Sequence, residues 1–292
     1  MNRPTVKSAF ILLFAMLLLF SACAAAEGPV RKLPIDLSGG KAPLRDHFDG
    51  WSYSDPTITV KCEKKKFEGV CNYWIARVRI ADASQLRTVS AGGFDSIMVL
   101  DGFRMAKRVN AVLAVNGDYF NYTGNGYILR QGELYLDHPD GVHDVLQIDE
   151  NGDFHMIARP VKGEVKETVD GKKVINSFFF GPVLVHEGVP QEIIPSEEMA
   201  SELGKQRMCI AQTGPLEYLC IASAGPESGD SGLTLAQLAQ LAAEEGALEA
   251  YNLDGGHSTM LLFDTKKIND AENPNTRQIS DIIYFASAYG GK

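Results

Sequence analysis

The sequence predicts an α+β fold, in which a curved and mostly antiparallel sheet packs against a few helices. Three observations predict this class. Short apolar runs separated by Gly, Asn and Asp turns fill residues 121–190, as in hairpin-rich sheets. Residues 94–109 and 234–246 instead have the apolar spacing of a helix. Strand-like runs come first along the chain, and helix–strand units are then mixed with hairpins, which favours α+β over a regular βα alternation.

Composition limits the partners of this protein. The 292 residues are 45% hydrophobic, which is enough for one large core or two modest ones, and the formal net charge is -9. An acidic chain argues against nucleic acid and against anionic lipid surfaces as partners. A phosphate-bearing substrate would therefore need a local cluster of Arg or Lys side chains.

The N-terminus has the pattern of an export signal. Residues 1–26 contain a basic start, an apolar run too short for a comfortable membrane span, and a stretch of small residues. Phe20-Ser-Ala-Cys23 also approximates a lipoprotein box, so Cys23 is either a lipid anchor or part of a simple secretion signal. Both alternatives export the protein to the cell envelope or beyond. Residues 27–56 are rich in Pro, Gly and Asp and predict a linker or an extended wrap, and 57–292 form the domain.

Export leads to a prediction for the cysteines. Four remain besides Cys23, an even number in an oxidising compartment. Cys62 and Cys71 flank one predicted turn, and Cys209 and Cys220 flank another. Of the three connectivities, local pairing within each hairpin is expected, and each bridge would contribute about 2–3 kcal/mol.

The first half of the domain starts with a strand pair. Residues 57–62 and 70–80 alternate well, with Trp74 and Val78 on one face. A helix is expected at residues 94–109, with basic residues near its C-terminal end. A buried strand at residues 111–115 then ends in an Asn-Gly turn.

The second half mixes hairpins with one clear helix. Residues 208–221 predict a hairpin. Thr234 is a candidate N-cap for a helix with a leucine stripe, and Gly246 ends it in a left-handed conformation. A strand at 248–253 leads into Asp254, and a last strand spans 279–287.

The turn after this strand is the main candidate site. An apolar strand delivers Asp254 onto Gly255 and Gly256, where the backbone bends and a ligand can approach the N–H groups closely. His257, Ser258 and Thr259 follow before the next apolar run. For this segment alone, a two-glycine hairpin with a capping Asp is an equal alternative.

Several motifs resemble the phosphodiester glycosidase family, which includes the lysosomal uncovering enzyme that removes N-acetylglucosamine from a phosphodiester. They occur in order at 114–120 (AVNGDYF), 180–188 (FGPVLVHEG), 232–246 (GLTLAQLAQLAAEEG), 250–256 (AYNLDGG) and 277–283 (RQISDII). The resemblance implies the same α+β class and a sugar-1-phosphate diester or polysaccharide as substrate. Asp118 and His257 depart from the usual family residues, so a different sugar or alcohol is expected.

Hydrolysis of such a diester requires only a few catalytic groups. The leaving phosphate is already a stable anion, so a strong general acid matters less than charge stabilisation at the anomeric carbon and around the phosphate. Asp254 is the first candidate for the carboxylate and Asp118 the second. Arg207 and Arg277 are candidate phosphate clamps, since a guanidinium matches phosphate oxygens and the family motifs carry arginine at both positions. The alternative for each of them is an arginine on the protein surface without a role in binding.

The remaining candidates are assigned to substrate binding. Asn116 and Gly117 lie where the strand at 111–115 turns, and Asn116 is expected to orient a sugar substituent. Backbone N–H groups of Gly255 and Gly256 are expected to line an anion pocket, with the Ser258 and Thr259 hydroxyls on sugar or phosphate oxygens. His257 is either an acid–base group or a hydrogen-bonding turn residue.

Other functions stay open from the sequence. No cofactor is expected, although Asn116, Asp118, Asp230 and Asp254 are oxygen donors of the kind that suit calcium, without the spacing of a calcium loop. A non-catalytic carbohydrate-binding or polysaccharide-assembly protein is the main alternative to an enzyme. A hydrolase with Ser258 as nucleophile is another, although the serine elbow is missing. No sequence signal sets the oligomeric state.

Overall fold

The computed structural model describes residues 39–121, 124–270 and 276–290. The predicted export segment at 1–26, with Cys23, lies outside the described residues. Strands make up 45% of the structure, whereas the described residues contain only two α-helices, α1 (Gly102–Arg108) and α2 (Leu235–Glu244). The fold is therefore mainly β rather than α+β. Neither described helix is long and apolar enough to cross a membrane.

Twenty strands form four sheets in the described part of the chain, and every strand pair is antiparallel, as the sequence predicts. The strands in chain order are β1 (Phe48–Asp49), β2 (Ser52–Asp55), β3 (Ile58–Phe67), β4 (Cys71–Ile80), β5 (Leu86–Ser90), β6 (Ala111–Asn116), β7 (Gly126–Arg130), β8 (Glu133–His138), β9 (Val145–Asp149), β10 (Phe154–Ile157), β11 (Thr168–Val169), β12 (Lys172–Phe179), β13 (Val183–His186), β14 (Val189–Pro190), β15 (Met208–Gly214), β16 (Glu217–Ser223), β17 (Glu249–Leu253), β18 (Leu261–Phe263), β19 (Lys266–Lys267) and β20 (Asp281–Ala286).

The largest sheet has nine strands in the order β1-β2-β3-β4-β16-β15-β17-β13-β14 and curls into a half-barrel. A second sheet has the order β19-β18-β6-β20-β5. The smaller sheets are β10-β9-β12-β11 and the hairpin β7-β8. One large cluster of buried apolar side chains joins the nine-stranded sheet to the inner strands of the others, and three smaller clusters are separate from it in the described part of the chain.

The segment predicted as a linker or extended wrap packs on the domain where it is described. Lys41 forms a bridge with Ser287, and a short 3-10 turn at Arg45–His47 follows. Strands β1 and β2 then form the edge of the nine-stranded sheet through pairing with β3. The buried carboxylate of Asp55 accepts hydrogen bonds from Thr57 and from Ser287, which ties the segment before β3 to the residues that follow β20.

The first predicted helix is wrong in its extent. Residues 94–101 contain no helix, and Ile97 and Met98 are exposed at 86% and 58%. The apolar residues at 94–99 do not all face one core, so their spacing mimicked a helical stripe. Helix α1 is only seven residues long and buries Met105 and Ala106. The helix predicted at 94–109 was one of the two helices behind the α+β prediction, and its shortening leaves a mainly β fold.

The second helix matches its prediction closely. Thr234 Oγ1 accepts a hydrogen bond from Gln237 N at 3.1 Å, and Gln237 Oε1 accepts one from Thr234 N at 2.9 Å. These two bonds form a capping box that satisfies backbone donors at the helix start. Leu235, Leu238 and Leu241 are buried, and Gly246 has a φ of 97° after the last turn. Helix α2 is therefore fixed at its start by the capping box and along one face by buried leucines. It directly precedes β17, the strand that leads into Asp254.

The predicted disulfides are wrong, since the four described cysteines are free and buried. In the β3–β4 pair, Cys71 lies opposite Phe67 and Cys62 lies opposite Ala76. Cys62 and Cys71 are therefore separated by five positions along the strands, which is about 17 Å. Disulfides need Cα atoms within about 7 Å. Cys209 lies opposite Ile221, so the adjacent Cys220 points to the other face of the sheet. Burial raises the pKa of the Cys209 thiol to about 12, which keeps it unreactive.

Candidate functional site

The candidate site lies where strands of the two main sheets end side by side. Strand β6 ends at Asn116, two residues before Asp118, and β17 ends at Leu253, directly before Asp254. Asn116 joins the two ends: its Nδ2 donates to the Asp254 carbonyl at 2.7 Å, and its Oδ1 accepts from Met260 N at 3.1 Å. The side-chain amide of Asn116 is therefore hydrogen-bonded to backbone groups and does not point to a ligand. These hydrogen bonds hold Asp254 in place.

A cavity of about 220 Å³ opens above these strand ends. Four aromatic rings line it, together with an aliphatic and a thioether side chain and six polar or charged ones. The lining residues are Asp118, Tyr119, Phe120, Asn125, Ile128, His143, Phe179, Phe180, Glu198, Met199, Asp254 and Arg277. Three of the predicted catalytic residues, Asp118, Asp254 and Arg277, therefore converge on one hollow.

Asp254 is a largely buried carboxylate that faces an arginine. Its side chain is 13% exposed, and Oδ2 lies 3.9 Å from a terminal nitrogen of Arg277. Burial raises the pKa of the Asp254 carboxyl above its usual range, and the charge of Asp118 acts in the same direction. The Ser258 hydroxyl, the Arg277 charge and the Gly255 N–H group oppose this rise. The carboxylate is thus poorly solvated, and it sits next to a cation.

Arg277 reaches the cavity from the segment before β20. Its backbone N donates to the His257 carbonyl at 3.0 Å, which ties it to the turn that follows Asp254. Its guanidinium lies over the Tyr119 ring, 5.3 Å from the centroid. With 46% of the side chain exposed, the guanidinium keeps free faces for a ligand. It is the only Arg or Lys among the described residues that line this cavity.

Beneath the cavity lies a cluster of buried charges that sequence reasoning missed. The guanidinium of Arg130, whose side chain is fully buried, donates to Asp118 Oδ1 at 2.8 Å and lies 3.4 Å from Asp281 Oδ2. It also donates to the Ser177 carbonyl and stacks on the Phe178 ring at 4.4 Å. Burial and the charge of Asp118 raise the pKa of Asp281, whereas Arg130 lowers it. One cation thus serves two carboxylates.

This cluster determines what Asp118 can do. Its second oxygen, Oδ2, accepts a hydrogen bond from Phe179 N at 2.7 Å, so both oxygens are already used. The next backbone N–H, that of Phe180, donates to the Tyr251 hydroxyl at 2.8 Å. Asp118 therefore positions the segment that carries two of the aromatic rings and contributes negative charge at the wall of the cavity.

Arg207, the other predicted phosphate clamp, does not line the cavity. Its guanidinium donates to four backbone carbonyls, those of Met199, Ala200, Leu203 and Leu233, at 2.6–3.1 Å. Burial lowers the pKa of Arg207 to about 10. The side chain instead holds the loop that places Met199 at the cavity wall.

The glycines are packing positions rather than cavity-lining ones. A Cβ on Gly117 would lie 2.1 Å from Asp281 Oδ1, so only glycine lets the buried carboxylate approach. A Cβ on Gly255 would lie 2.7 Å from the Gln206 carbonyl. Gly256, with a φ of 58°, donates its N–H to that same carbonyl at 2.9 Å, so this N–H is not free for an anion.

The three residues after the glycines differ in exposure. His257 is exposed at the start of the loop, outside the set of described residues that line the cavity. Ser258 is fully buried, and its hydroxyl faces the Asp254 carboxylate in a looser geometry than a formed hydrogen bond. Thr259 is 1% exposed. A buried Ser258 does not present its oxygen to a substrate, so the nucleophile alternative loses support.

His143 and Glu198 are cavity residues that the sequence did not single out. His143 Nδ1 lies 2.8 Å from Asp140 Oδ2, and its Nε2 lies 4.0 Å from Glu198 Oε1. Neither belongs to a motif or a spaced pair, so single-sequence reasoning had no signal for them. Asp281 lies in one of the family-like motifs, RQISDII at 277–283, whereas Arg130 lies in none of them.

No group of three or more His, Cys, Asp or Glu side chains that could hold a metal ion occurs within residues 39–121, 124–270 and 276–290. Two of the predicted calcium donors are used elsewhere: Asn116 bonds backbone groups, and Asp230 accepts from both nitrogens of Asn72 at 3.2 and 2.8 Å. The described residues offer no prepared cation site at the cavity.

Comparison with known proteins gives a family and a fold. A profile of the phosphodiester glycosidase family matches residues 109–286, more than half of the chain. The auto-inhibited catalytic domain of zebrafish N-acetylglucosamine-1-phosphodiester alpha-N-acetylglucosaminidase superposes with a TM-score of 0.60 at 14% identity, covering 85% of this chain and 86% of that one. A hypothetical protein from Synechocystis gives 0.53 at 16% identity, covering 78% and 62%.

A relative from Bacillus subtilis is more similar in sequence. A prophage-derived uncharacterized protein of that organism is 26% identical over 185 residues, which is 61% of this chain. The chain spans only 28% of the length of that relative.

Proposed function

Because this chain belongs to the phosphodiester glycosidase family, we propose that it is a hydrolase that cleaves the glycosyl bond of a sugar-1-phosphate diester. The single observation that carries the proposal is the pairing of Asp254 with Arg277, 3.9 Å apart in one aromatic-lined cavity. A carboxylate and a guanidinium side by side match the two ends of the reacting bond, the anomeric carbon and the phosphate.

The phosphate binds to the guanidinium of Arg277. A diester carries one negative charge, and Arg277 is the only cationic residue among the described lining residues, so it is the side chain that offsets this charge. Its stacking on Tyr119 fixes the plane of the guanidinium, which orients the phosphate oxygens.

The sugar lies against the aromatic wall. Phe120, Phe179 and Phe180 line the cavity, and such rings offer a flat apolar surface to the C–H face of a sugar. Asn125, His143 and Glu198 supply polar groups at the same wall. A cavity of about 220 Å³ accommodates one sugar ring rather than an extended chain.

Asp254 acts at the anomeric carbon. As the bond to the phosphate oxygen breaks, that oxygen leaves with the electron pair and positive charge develops on the sugar. An ionised carboxylate in a poorly solvated site stabilises this charge more strongly than it would in water. A water molecule then forms the new bond to the anomeric carbon through its oxygen and loses a proton, which the departing phosphate monoester dianion or the solvent takes up. The products are a free sugar and a phosphate monoester.

The export of the protein and its envelope substrate belong to the same proposal. The segment at 1–26, with or without lipidation at Cys23, would place the domain outside the cytoplasm. Sugar-1-phosphate diesters in envelope polymers or glycans are then within reach. The alternative, a carbohydrate-binding or polysaccharide-assembly protein without turnover, uses the same cavity.

The test is an assay of the purified full chain on a panel of sugar-1-phosphate diesters, with free sugar and phosphate monoester measured together. Asp254→Asn should lower kcat by at least about 10²-fold, the usual cost of losing one transition-state charge contact. Asp264→Asn, the same substitution at a turn carboxylate paired with Arg45, is the matched control.

Two outcomes would contradict the proposal. Turnover that survives Asp254→Asn unchanged removes the carboxylate from the mechanism. If no diester in the panel is hydrolysed while the free sugars still bind, the non-catalytic alternative stands.

A further inference from the structure

A second and larger cavity adjoins the candidate site. This adjoining cavity has a volume of about 510 Å³ and is lined by residues of helix α2, of strand β13 and of the loop at 191–207 between β14 and β15. Four residues line both cavities: His143, Phe180, Glu198 and Met199. The candidate site alone, at about 220 Å³, is smaller than the usual ligand pocket of about 300–1,000 Å³, whereas the adjoining cavity lies within that range.

The junction between the two cavities carries two polar side chains. The side chain of Glu198 is 65% exposed, and its Oε1 lies 4.0 Å from His143 Nε2, which is longer than a hydrogen bond. His143 is held from its other side, where Nδ1 lies 2.8 Å from Asp140 Oδ2. Nε2 is thereby directed to the junction. A ligand that spans both cavities would pass this imidazole and this carboxylate.

The adjoining cavity meets the sugar end of the candidate site rather than its phosphate end. Asp254, Arg277 and Tyr119 line only the candidate site, where the proposed function places the reacting bond. The four shared residues include Phe180, His143 and Glu198, which belong to the wall assigned to the sugar. A group in the adjoining cavity would therefore be attached to the sugar, on the side away from the phosphate.

The loop wall of the adjoining cavity is held by hydrogen bonds. Ser201 N donates to the Ser196 carbonyl at 3.0 Å, and Met199 N donates to Ser196 Oγ at 3.2 Å. Arg207 Nη1 donates to the Met199 carbonyl at 3.0 Å, and Leu235 N donates to the Ser201 carbonyl at 2.9 Å. Because these contacts already fix the loop, a ligand has little ordering to impose on it, which lowers the cost of binding.

The lining of the adjoining cavity suits a neutral, hydroxylated group. Asp144, Glu192 and Glu198 are acidic, and Arg159 is the only Arg or Lys among the described lining residues. The Asp144 carboxylate already accepts from the backbone N of Arg159 at 3.0 Å and of Val183 at 2.8 Å. The excess of acidic groups disfavours a second phosphate or a uronic acid, whereas carboxylates accept hydrogen bonds from hydroxyls. Apolar lining residues, which can contact the C–H face of a sugar ring, include Pro182, Val183, Ile194, Pro195 and Leu235.

We propose that the adjoining cavity is a subsite for a second, neutral sugar linked to the reacting one. This inference rests on the proposed function and narrows its substrate class to diesters whose glycosyl part contains at least two sugars. The reacting ring occupies the candidate site, and the second ring lies beyond His143 and Glu198, which bind hydroxyl groups at the junction. Cleavage then releases an oligosaccharide rather than a monosaccharide.

The test compares benzyl phosphodiesters of glucose and of N-acetylglucosamine with those of their 1→4-linked disaccharides, in both anomeric forms, as substrates of the full chain. At least one disaccharide diester should have a kcat/KM about tenfold above that of its monosaccharide partner, mainly through a lower KM. Burial of about 60 Å² of apolar sugar surface accounts for a factor of this size. A diester whose second sugar is glucuronate should lack this advantage, because its charge meets the acidic lining.

Ile194→Trp narrows the adjoining cavity at a residue that does not line the candidate site. The substitution should remove the disaccharide advantage and leave kcat/KM for the monosaccharide diester unchanged. Leu203→Trp is the matched control: Ile194 and Leu203 are both 58% exposed in the same loop, but Leu203 lines neither of the two cavities. This control should keep the full advantage.

Binding of the same diesters to Asp254→Asn, measured by calorimetry, provides a second readout that needs no turnover. Equal affinity for monosaccharide and disaccharide diesters, or an advantage that Ile194→Trp leaves intact, would overturn the subsite, while hydrolysis of the monosaccharide diesters would still support the proposed function. If wild type hydrolyses no diester, the proposed function fails. Tighter binding of a disaccharide diester that Ile194→Trp abolishes would then still identify the subsite.

Discussion

Replacing Asp281 by Asn should make the protein more stable at pH 8 and leave it nearly unchanged at pH 4. Asp281 is 1% exposed and shares the single cation Arg130 with Asp118. Burial, together with the charge of Asp118, raises the pKa of Asp281 from 3.8 to about 7. The folded protein thus holds this proton more tightly than the unfolded chain. The contribution of Asp281 to stability is therefore fully present below about pH 4 and is lost as pH rises through about 7.

The size of the effect follows from this difference in pKa. Each tenfold change in proton affinity corresponds to about 1.4 kcal/mol, so a rise from 3.8 to about 7 gives at most about 4 kcal/mol. Asn keeps the shape of the side chain and an oxygen for the Arg130 contact, but it carries no charge at any pH. The gain of Asp281→Asn over wild type should therefore grow from near zero at pH 4 to a few kcal/mol at pH 8.

The assay is urea unfolding followed by the fluorescence of the buried Trp74 between pH 4 and 8.5 at constant ionic strength. Asp49→Asn, at an exposed carboxylate on β1, is the matched control. A difference between Asp281→Asn and wild type that is the same at both ends of this range, or that shrinks as pH rises, would refute the reasoning.

Three further predictions concern the same region. Because burial raises the pKa of Asp254 and the Arg277 charge lowers it, kcat/KM should rise with pH through an inflection above the usual Asp range, and Arg277→Gln should move that inflection upward. Arg130→Met leaves two buried carboxylates unpaired and should cost about 3–5 kcal/mol in the free energy of unfolding. Gly117→Ala places a Cβ 2.1 Å from a carboxylate oxygen and should cost about 1–3 kcal/mol, measured by thermal unfolding.

Controls for these three changes are available in the chain. Arg104→Gln, at an arginine whose side chain is 62% exposed, should leave the kinetic inflection in place. Gly214→Ala meets no atom within 3.5 Å and has an ordinary φ, so it should keep its Tm. Two results would contradict these electrostatic predictions. One is an inflection in the pH dependence of kcat/KM that stays at the same pH in Arg277→Gln, and the other is an Arg130→Met variant as stable as wild type.

Local patterns predicted the elements that carry the site. The leucine stripe and Thr234 located helix α2, and the apolar run before Asp254 located β17. Both patterns follow from burial on one face of a single element, so they are readable within a short window of sequence. The helix predicted at residues 94–109 was too long because the prediction used the same kind of local pattern. Apolar side chains there are spaced as on a helix, yet Ile97 and Met98 are exposed next to the loop after Phe120.

The cysteines and arginines show where local patterns fail. Cysteine pairing depends on register, and a shift of one residue sends Cys220 to the opposite face from Cys209. Arg207 and Arg277 look alike in the sequence, but backbone carbonyls surround the first, whereas the second faces Asp254. Arg130 gave no signal because its two carboxylate partners lie 12 and 151 residues away.

The amino-acid sequence was sufficient for the antiparallel sheet, the helix before β17, the family resemblance and the two aspartates at glycine-bearing strand ends. Folding in three dimensions settled which charges meet. Asp118, Asp254 and Arg277 share a cavity, Arg130 and Asp281 lie beneath it, and Arg207 does not reach it. The physical reason is that periodicity records which side of a segment is buried, whereas the partner of a charged group is set by segments that come together only when the sheets pack.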